Sequence, residues 1–262
     1  MLEKQRHHLL LEVLAGQGFA SVHELAVKLN ASEATIRRDL TKLAQKKLLM
    51  KIRGGAESLS LSSFEVDRRN LQSSDFQVDV TQHQDRKAKI AAKAVSLCEP
   101  DDSIIINGGS STFMMKDELA KRDGLKVLTN SFALAYELSQ ISELQVTLPG
   151  GELYRQQSII LSSFENDSIP NYHGTKMFMG TPGIGEFGVM EADPLLVRSE
   201  QKLKKQAEKL VVLADSSKIG LRSSLILCPL SDVDIIITDS GVTEKYVTLF
   251  EDNGVEVIVV DD

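Results

Sequence analysis

The stretch Asn30-Ala-Ser-Glu-Ala-Thr-Ile-Arg-Arg-Asp-Leu-Thr-Lys-Leu43 decides the fold of the N-terminal part of this chain. Ser32 suits the first position before a helix, because its side-chain oxygen can accept from a free N–H group of the first turn. At 100° per residue, Ile36, Leu40 and Leu43 fall on one face of that helix. The opposite face is polar and cationic. The stretch therefore predicts a helix with one buried and one exposed basic side.

The neighbouring residues indicate a complete DNA-binding unit. Ser21 and Glu24 form a capping-box pattern at the start of another amphipathic helix. Asn30, between the two helices, suits a tight turn because it tolerates positive φ. Residues 48–53 followed by Gly-Gly favour a β-hairpin. Helix, turn, helix and hairpin in this order predict a winged helix-turn-helix, whose second helix enters the major groove.

The expected DNA contacts lie on the exposed helix face and on the hairpin. Arg pairs well with guanine and Gln with adenine, whereas hairpin cations contact phosphate and give salt-dependent affinity. Asp39 lies near the buried side, where we expect it to orient an arginine. The candidate DNA-binding residues are Ser32, Ala34, Thr35, Arg37, Arg38, Thr41, Lys42, Gln45, Lys51 and Arg53.

The charge is divided unevenly along the chain. The net charge is -7, which by itself argues against nucleic acid. Residues 1–57, however, contain ten Lys or Arg and six Asp or Glu, and the remainder contains twenty against thirty-one. A basic head on an acidic body indicates a DNA-binding module joined to a domain with another task.

Composition excludes several classes of protein. A chain of 262 residues with 42% apolar content can form two domains with real cores. It has no apolar run of membrane-spanning length and no secretory signal pattern. Its two cysteines are far apart, so neither a disulfide framework nor a metal site is expected. We expect a cytoplasmic protein without membrane partner, metal or cofactor.

Three segments follow from the change of pattern along the chain. Residues 1–57 form the DNA-binding domain. Residues 58–84 are rich in Ser, Gln, Asp and Asn, and predict a linker followed by an irregular docking segment. Residues 85–262 alternate between helical and strand patterns. Apolar runs such as Leu210–Leu213 indicate a mostly parallel sheet covered on both faces, and hence an α/β fold. Strands are expected at 103–107, 126–129, 145–148, 176–179, 209–214, 234–238 and 255–260.

Small or polar residues follow six of the expected strands. Ligands of open α/β sheets bind at the carboxyl edge of the strands, where such residues would meet. The backbone N–H groups and hydroxyls of the loop 108–112 can hold a phosphate, and Lys218 can neutralise its charge. A Lys-rich helix adds Lys204 as a residue that could reach the ligand. The candidates are Asn107, Gly108, Gly109, Ser110, Ser111, Thr112, Thr129, Asn130, Ser131, Gly150, Gly151, Lys204, Asp215 and Lys218.

Three other functions compete at this point. Gly183-Ile-Gly185-Glu-Phe-Gly188 matches the glycine pattern of dinucleotide-binding units. A sugar-phosphate isomerase would need a general base, and several acids are available, although nothing singles out one pair. A DNA-binding architectural protein without a sensor role would have no use for the loop-lined sheet edge. The acids considered are Glu191, Asp193, Glu200 and Asp215.

Two motifs of the N-terminal part resemble the signature of the DeoR family of bacterial transcriptional regulators. They are residues 34–40, Ala-Thr-Ile-Arg-Arg-Asp-Leu, and residues 53–56, Arg-Gly-Gly-Ala. The resemblance extends over nearly the whole chain. It departs at Lys47, where the family usually has Gly, and at Arg53, where His is common. It implies a winged helix-turn-helix joined to a sugar-phosphate sensor whose fold is similar to sugar-phosphate isomerases and CoA transferases.

The resemblance also concerns the sensor part. The strand-end loops resemble the sensor motifs, although Asp is commoner than Asn107, and Lys87 matches a recurrent lysine. Residues 157–162, 165–166, 177–178 and 199–202 resemble the subgroup that represses ascorbate utilisation. That narrower resemblance implies L-ascorbate 6-phosphate as the effector.

The hypothesis is a ligand-controlled repressor of a sugar or sugar-acid catabolic operon. Its partners would be double-stranded operator DNA, a phosphorylated sugar or sugar-acid effector, and further copies of itself in a dimer or tetramer. The alternative is an isomerase-like enzyme with a DNA-binding head. Whether the effector releases DNA or strengthens binding stays open.

Overall fold

A computed structural model describes residues 6–7, 9–11, 13–14, 19–29, 31–45, 48–52, 54–58, 76–162 and 167–261. The chain divides into two compact units, Met1–Arg68 and Arg69–Asp262. Within the described ranges, no helix has both the length and the apolar character needed to cross a membrane.

The N-terminal unit is a small helical bundle with a three-stranded antiparallel sheet. Residues 6–7, 9–11 and 13–14 are helical. The further elements are β1 (Phe19–Ser21), α1 (Val22–Lys28), α2 (Glu33–Gln45), β2 (Leu49–Ile52) and β3 (Gly55–Ser58), and the strand order is β1-β3-β2. Leu10, Leu25, Ile36 and Leu40 are fully buried in one core, as the helical periodicity predicts.

Local sequence signals explain the element boundaries of this unit. Ser21 and Glu24 form the expected capping box at the start of α1. The Oγ of Ser32 accepts from the Thr35 N–H at 3.2 Å, as the capping prediction requires. The hairpin of β2 and β3 is confirmed, and Gly54 in its turn has φ +91°, a value that favours glycine. The predicted turn residue Asn30 lies outside the described residues. The strand β1 was not predicted.

Asp39 links helix α2, the second helix of the predicted helix-turn-helix, to the N-terminal helical residues. Its side chain is buried and accepts from Arg6 Nε at 2.6 Å and lies 3.1 Å from His7 Nε2. Burial works to raise the pKa of Asp39, but the hydrogen bonds from Arg6 and His7 outweigh it and hold that pKa below its usual range. Asp39 therefore orients an arginine, as predicted, and the pair joins α2 to the N-terminal helical residues.

The second unit is built around a seven-stranded parallel sheet. All seven predicted strands form and together make up the whole sheet, with bounds that differ from the prediction by at most two residues. In chain order they are β4 (Ser103–Ile106), β5 (Lys126–Thr129), β6 (Gln145–Thr147), β9 (Gly174–Gly180), β12 (Ala207–Leu213), β14 (Ile235–Asp239) and β15 (Glu256–Val260), in the spatial order β15-β14-β12-β9-β4-β5-β6. The chain starts in the middle at β4, builds outward to β6, and then continues from β9 on the other side.

Helices cover both faces of this sheet, so its strands are apolar on both sides. Ile104 and Ile106 pack into one core, and Ile105 packs into the other, because successive residues of a strand point to opposite faces. The helices of the unit are α3 (Phe76–Thr81), α4 (Gln84–Ser96), α5 (Ser110–Phe113), α6 (Lys116–Leu119), α7 (Phe132–Ile141), α8 (Pro194–Lys204) and α9 (Glu244–Asp252).

Five short antiparallel strands were not predicted. β7 (Glu152–Tyr154) and β8 (Ile159–Leu161) form a hairpin. β10 (Gly183–Gly185), β11 (Gly188–Glu191) and β13 (Leu225–Cys228) form a separate sheet. The glycine pattern 183–188 thus covers β10, a two-residue turn and the start of β11 rather than a strand-to-helix loop, and the dinucleotide interpretation is wrong. Gly188 has φ +105°, and a Cβ there would lie 2.1 Å from the Cys228 carbonyl oxygen.

The segment 58–84 is partly described. Its residues 59–75, which carry most of the predicted linker, lie outside the described residues. The docking part is more regular than predicted, because residues Phe76–Thr81 form a helix. Phe76 is buried, and its ring meets Phe113 edge to face with 5.4 Å between centroids. This segment is therefore anchored in the α/β unit by an aromatic contact.

Candidate functional site

The exposed face of α2 is short and cationic. Ala34, Arg37 and Arg38 are exposed, and Thr35, Thr41 and Lys42 are partly exposed. The opposite face is buried in the core of the unit. A rigid, core-anchored helix with small and basic side chains outward is the shape that a major groove accepts.

Contacts among these side chains set their roles apart. Arg37 pairs with Glu33 one turn earlier, at 3.2 Å between Nη2 and Oε2. The Thr41 hydroxyl donates to the Arg37 carbonyl at 2.8 Å, and Lys51 Nζ on β2 donates to the same hydroxyl at 2.9 Å. The hairpin lysine therefore lies beside the recognition helix. Arg38 is exposed, which leaves it well placed for a base edge.

The remaining predicted contacts are described in part. Ser32 is exposed, and its hydroxyl lies 2.8 Å from that of Thr35. Gln45 is the last residue of α2, but its side chain is outside the described part of the chain, as is the whole of Arg53.

A cavity lies at the carboxyl edge of the large sheet, between β4 and β9. This is the point at which the strand order reverses, and crevices at such points are the usual ligand sites of open α/β sheets. The cavity has a volume of about 70 Å³. Five of the predicted residues line it, namely Gly108, Gly109, Ser110, Ser111 and Lys218.

The loop 108–112, called the glycine-serine loop from here on, is held in place by hydrogen bonds among buried polar groups. Asn107 Nδ2 donates to the Gly180 carbonyl at 3.0 Å, and its Oδ1 accepts from the Gly180 N–H at 2.8 Å. The Thr112 hydroxyl donates to the Asn107 carbonyl at 2.9 Å. The Gly108 N–H donates to Asn130 Oδ1 at 2.8 Å. These bonds fix the loop and aim its remaining groups into the cavity.

The loop after β5 serves as support for the first loop. The Thr129 hydroxyl accepts from the Ser131 N–H at 3.0 Å, and the Ser131 hydroxyl caps α7 by accepting from the Leu134 N–H at 3.1 Å. Asn130, Ser131 and Thr129 are all buried. They position the cavity wall, and none of them lines the cavity itself.

Two lysines serve this cavity in different ways. Lys218 lines it directly. Lys87 lies beneath, 1% exposed, and its Nζ donates to the Asp79 carbonyl at 2.6 Å and to the Ser110 hydroxyl at 3.0 Å. Burial lowers the pKa of Lys87, and Asp215 opposes that effect. Lys87 thereby joins α3 to the glycine-serine loop.

A network of hydrogen bonds fixes the loop that carries Lys218. Asp215 is fully buried, and one of its oxygens accepts from the N–H and the hydroxyl of Ser217. Asp239 accepts from the Ser216 N–H at 2.6 Å and the Ser216 hydroxyl at 2.8 Å. Arg86 lies 3.6 Å from Asp239. The position of Lys218 thus depends on the ends of two neighbouring strands.

Two carboxyl side chains form part of the cavity wall, on β11 and on α8. Glu191 and Glu200 are 5% and 6% exposed. Burial raises the pKa of Glu200 well above its usual value, and the nearby Glu191 raises it further. Burial also raises the pKa of Glu191, against the hydrogen bonds from the Ala192 and Asp193 N–H groups. The structure thus brings together two of the acids that the sequence could not single out.

Three predicted residues neither line the cavity nor hydrogen-bond to the described loops that form it. Lys204 is paired with Asp232, on the 3-10 helix that follows β13, so its ammonium does not line the cavity. Gly150 and Gly151 precede β7 and are absent from the cavity wall. Gly151 instead allows close backbone packing, because a Cβ there would lie 2.3 Å from the Leu161 carbonyl oxygen.

Residues that were not among the predicted effector contacts complete the cavity. Phe76 and Asp79 come from α3, and Gln157 comes from the turn between β7 and β8. The Phe76 N–H donates to the Gln156 carbonyl at 3.1 Å, so these two segments meet over the cavity. Their contribution depends on chain folding over some 80 residues, and no local pattern predicts it.

Comparison with known proteins agrees with both halves of this arrangement. Residues 6–61 match the DeoR-like helix-turn-helix domain, and residues 82–240 match the DeoR C terminal sensor domain. The chain belongs to the DeoR family. It is 34% identical over 260 residues to the HTH-type transcriptional regulator UlaR of Shigella dysenteriae and of Escherichia coli, which covers 99% of this chain and 100% of each relative.

Solved structures share less with this DeoR-family chain. Ribose 5-phosphate isomerase A from Methanocaldococcus jannaschii is 20% identical over 53% of this chain and 55% of its own, with a TM-score of 0.40. The eIF2B beta subunit from Chaetomium thermophilum is 17% identical over 58% and 50%, with a TM-score of 0.42.

The family assignment settles the class of protein. The chain is a DNA-binding transcriptional regulator, with a winged helix-turn-helix and an α/β sensor domain. Because the full-length relatives are transcriptional regulators, the isomerase alternative is not favoured.

Proposed function

We propose that this regulator represses an operon for the catabolism of a sugar or sugar acid, and that a phosphorylated sugar or sugar acid bound in the cavity controls it. The observation that carries the proposal is the meeting of the glycine-serine loop and Lys218 at the point where the strand order reverses. Backbone N–H groups, hydroxyls and a cation are the groups that bind phosphate in proteins.

L-ascorbate 6-phosphate is the first effector to test. The support is the resemblance of residues 157–162 and 199–202 to ascorbate-utilisation repressors, together with the whole-chain identity to UlaR. Two residues of those motifs, Gln157 and Glu200, line the cavity. The choice of sugar would then rest on side chains away from the phosphate-binding loop.

The volume of the cavity supports a route for the signal. About 70 Å³ is less than the roughly 300 Å³ or more of most small-molecule sites. A sugar phosphate that becomes enclosed here would displace part of the wall, and α3 and the β7–β8 turn are the segments that meet there. Because α3 follows residues 59–75 in the chain, its displacement would act on the connection to the DNA-binding domain.

Operator binding by this regulator would use more than one copy of the chain. Helix-turn-helix proteins bind repeated half-sites as symmetric oligomers, so we propose a dimer or tetramer that acts in the cytoplasm, where the operator lies. The effector would favour an arrangement in which the recognition helices no longer match the half-sites. For that, it must bind the two arrangements with different affinity.

The test is a gel-shift titration of the full-length protein on the promoter DNA beside its own gene, with a panel of sugar phosphates added. We expect one of them to release the DNA. Lys218→Ala and Ser111→Ala should bind DNA as the wild type does but should not respond. Lys126→Ala, at the opposite edge of the sheet, is the matched control and should respond normally. A response by Lys218→Ala equal to that of the wild type would contradict the proposed site.

A further inference from the structure

We propose that Glu200 is the residue that reads the sugar end of the effector, as a neutral carboxylic acid whose Oε2–H group donates a hydrogen bond to an effector oxygen. This inference rests on the proposed function, namely that a phosphorylated sugar or sugar acid binds in this cavity. It assigns a residue that contacts the sugar end of the ligand, whereas the glycine-serine loop and Lys218 bind the phosphate end.

The geometry around Asn107 fixes where the proton of Glu200 lies. Asn107 Oδ1 must face the Gly180 N–H, from which it accepts at 2.8 Å, and this orients the whole amide. Its Nδ2 then has two hydrogens, one for the Gly180 carbonyl at 3.0 Å and one for Glu200 Oε1 at 2.6 Å. Since Oε1 accepts a hydrogen bond, a proton on Glu200 sits on Oε2. Oε2 is the carboxyl oxygen left for the cavity that Glu200 lines.

The charges that face Glu200 favour the neutral acid. Burial raises the pKa of the neighbouring Glu191 on β11 as well, but its Oε1 accepts from the Ala192 N–H at 2.6 Å and the Asp193 N–H at 3.2 Å, bonds that stabilise its ionised form. Among the described residues, Glu200 accepts only from Asn107 and its pKa is raised further, so Glu200 is the acid of the two that holds a proton first. On β13 the Cys228 thiol is buried. The charged residues of β12, Glu208 and Lys209, are exposed.

Cations do not compensate a charge on Glu200. On its own helix, Lys202 pairs with Asp167 and Lys204 with Asp232, and Arg198 is exposed. β8 and the 3-10 helix Ile169–Asn171, which also pack on α8, carry no charged residue. Across the cavity lie Lys218 and Asp79. In the part of the chain that the structure describes, no ion pair includes Glu200. Burial and the neighbouring Glu191 accordingly raise its pKa.

A neutral acid suits an anionic ligand. An ionised Glu200 would repel the phosphate that the loop attracts, whereas a carboxylic acid carries no charge and supplies one donor. The group it recognises must be an acceptor oxygen, such as the carbonyl or hydroxyl oxygen of a sugar or sugar acid. Asn107 is part of this arrangement, because an Asp at that position could not donate to Oε1. The departure from the commoner Asp therefore has a chemical role here.

The experiment has two readouts on the full-length protein. The first is infrared spectroscopy, in which the C=O stretch of a protonated carboxyl should be present at neutral pH in the wild type and missing in Glu200→Gln. The exposed Glu208→Gln variant is the matched control and should keep the band. Absence of the band from the wild type at neutral pH would overturn the inference, because Glu200 would then be ionised.

The second readout is calorimetric titration with L-ascorbate 6-phosphate, and with the other sugar phosphates of the panel, between pH 7 and 9. The phosphate is then a dianion throughout, since its second pKa is about 6. Glu200→Gln keeps a donor and should bind within about threefold of the wild type, whereas Glu200→Ala should bind about tenfold or more weakly. The affinity of the wild type relative to that of Glu200→Gln should fall with rising pH only where the infrared band fades, because both proteins keep Lys87, whose pKa is lowered by burial.

The possible failures are distinct. Binding that is insensitive to both substitutions, or an affinity relative to Glu200→Gln that falls while the band persists, would refute the donor role alone. Absence of binding of every sugar phosphate to the wild type would refute the effector assignment, and the donor role with it. If Glu200→Ala does not fold, the infrared band of the wild type and its loss in Glu200→Gln still test whether Glu200 is protonated.

Discussion

Replacing Gly108 by alanine would create a steric clash in the wall of the cavity. A Cβ on Gly108 would lie 2.0 Å from Ile159 Cγ2 on β8 and 3.7 Å from Asn130 Oδ1. Carbon atoms in ordinary contact are about 3.5–4.0 Å apart, so either the loop or the hairpin must move by well over 1 Å. Ile159 is buried, which leaves it little room to turn away.

The expected loss follows from this overlap. Forcing an extra methyl group into a packed site costs about 1–3 kcal/mol, and about 2 kcal/mol lowers the melting temperature of a domain of this size by roughly 4–8 °C. Displacement of the loop should also cost a hydrogen bond to the effector phosphate, worth about 1.5–3 kcal/mol, which is about tenfold or more in affinity. Operator binding should persist, so Gly108→Ala should repress without induction.

Calorimetric melting and effector titration of Gly108→Ala measure both effects. Gly150→Ala is the matched control, because its Cβ would meet no atom within 4 Å and Gly150 does not line the cavity. The double variant Gly108→Ala/Ile159→Ala should lose less stability than the sum of the two single losses. A melting temperature within 1 °C of the wild type together with unchanged effector affinity would refute the reasoning.

The DNA-binding domain gives three further predictions. Arg38→Ala should weaken operator binding by about 1–3 kcal/mol, roughly 5- to 150-fold in a gel shift. The control variant Lys121→Ala, in the sensor domain, should bind the operator as the wild type does. If Arg38→Ala binds as tightly as the wild type, Arg38 makes no base contact. Lys51→Ala should weaken binding to all sequences alike and reduce the salt slope by about 1; an unchanged slope would remove Lys51 from the phosphate contacts. Asp39→Asn should destabilise this domain by about 2–4 kcal/mol, because it leaves Arg6 without its carboxylate. Because the folded pKa of Asp39 is lowered, the wild-type advantage over Asp39→Asn in urea unfolding should be full at pH 7 and shrink as the pH falls below about 4; an advantage as large at pH 2 as at pH 7 would contradict the ion pair.

The sequence predicted those parts of the fold that depend on local pattern. The capping box at Ser21, the hairpin after α2 and all seven strands of the large sheet follow from periodicity and turn chemistry. Buried parallel strands are long apolar runs, and such runs are easy to recognise. The short strands β7, β8, β10, β11 and β13 have three or four residues each, which is too few for a strand period to show in the sequence.

The cavity was predictable only in outline. Gly108 to Ser111 and Lys218 follow strand ends, and parallel strands bring such ends to one edge. Lys204 was predicted to reach the ligand, whereas in the structure it pairs with Asp232, and residue type alone does not tell which face of α8 turns toward Asp232. The bond between Asn107 and Glu200 joins residues 93 apart in the chain, and only the packing of α8 on the sheet creates it.

Asn107 has a mechanical consequence as well. β4 and β9 pair up to Ile106 and Phe178, the Asn107 N–H continues the ladder to the Phe178 carbonyl, and the Asn107 side chain closes on both backbone groups of Gly180. These hydrogen bonds hold β4 and β9 together at the base of the cavity. A larger ligand would therefore be accommodated by movement of α3 and the β7–β8 turn, and not by separation of the two strands. Amide hydrogen exchange of β4 and β9 should stay slow whatever effector is bound, while α3 and the β7–β8 turn should respond. A descendant of this gene that adopts a new effector would accordingly change residues of α3 and the β7–β8 turn and keep Asn107 and its bonds to Gly180.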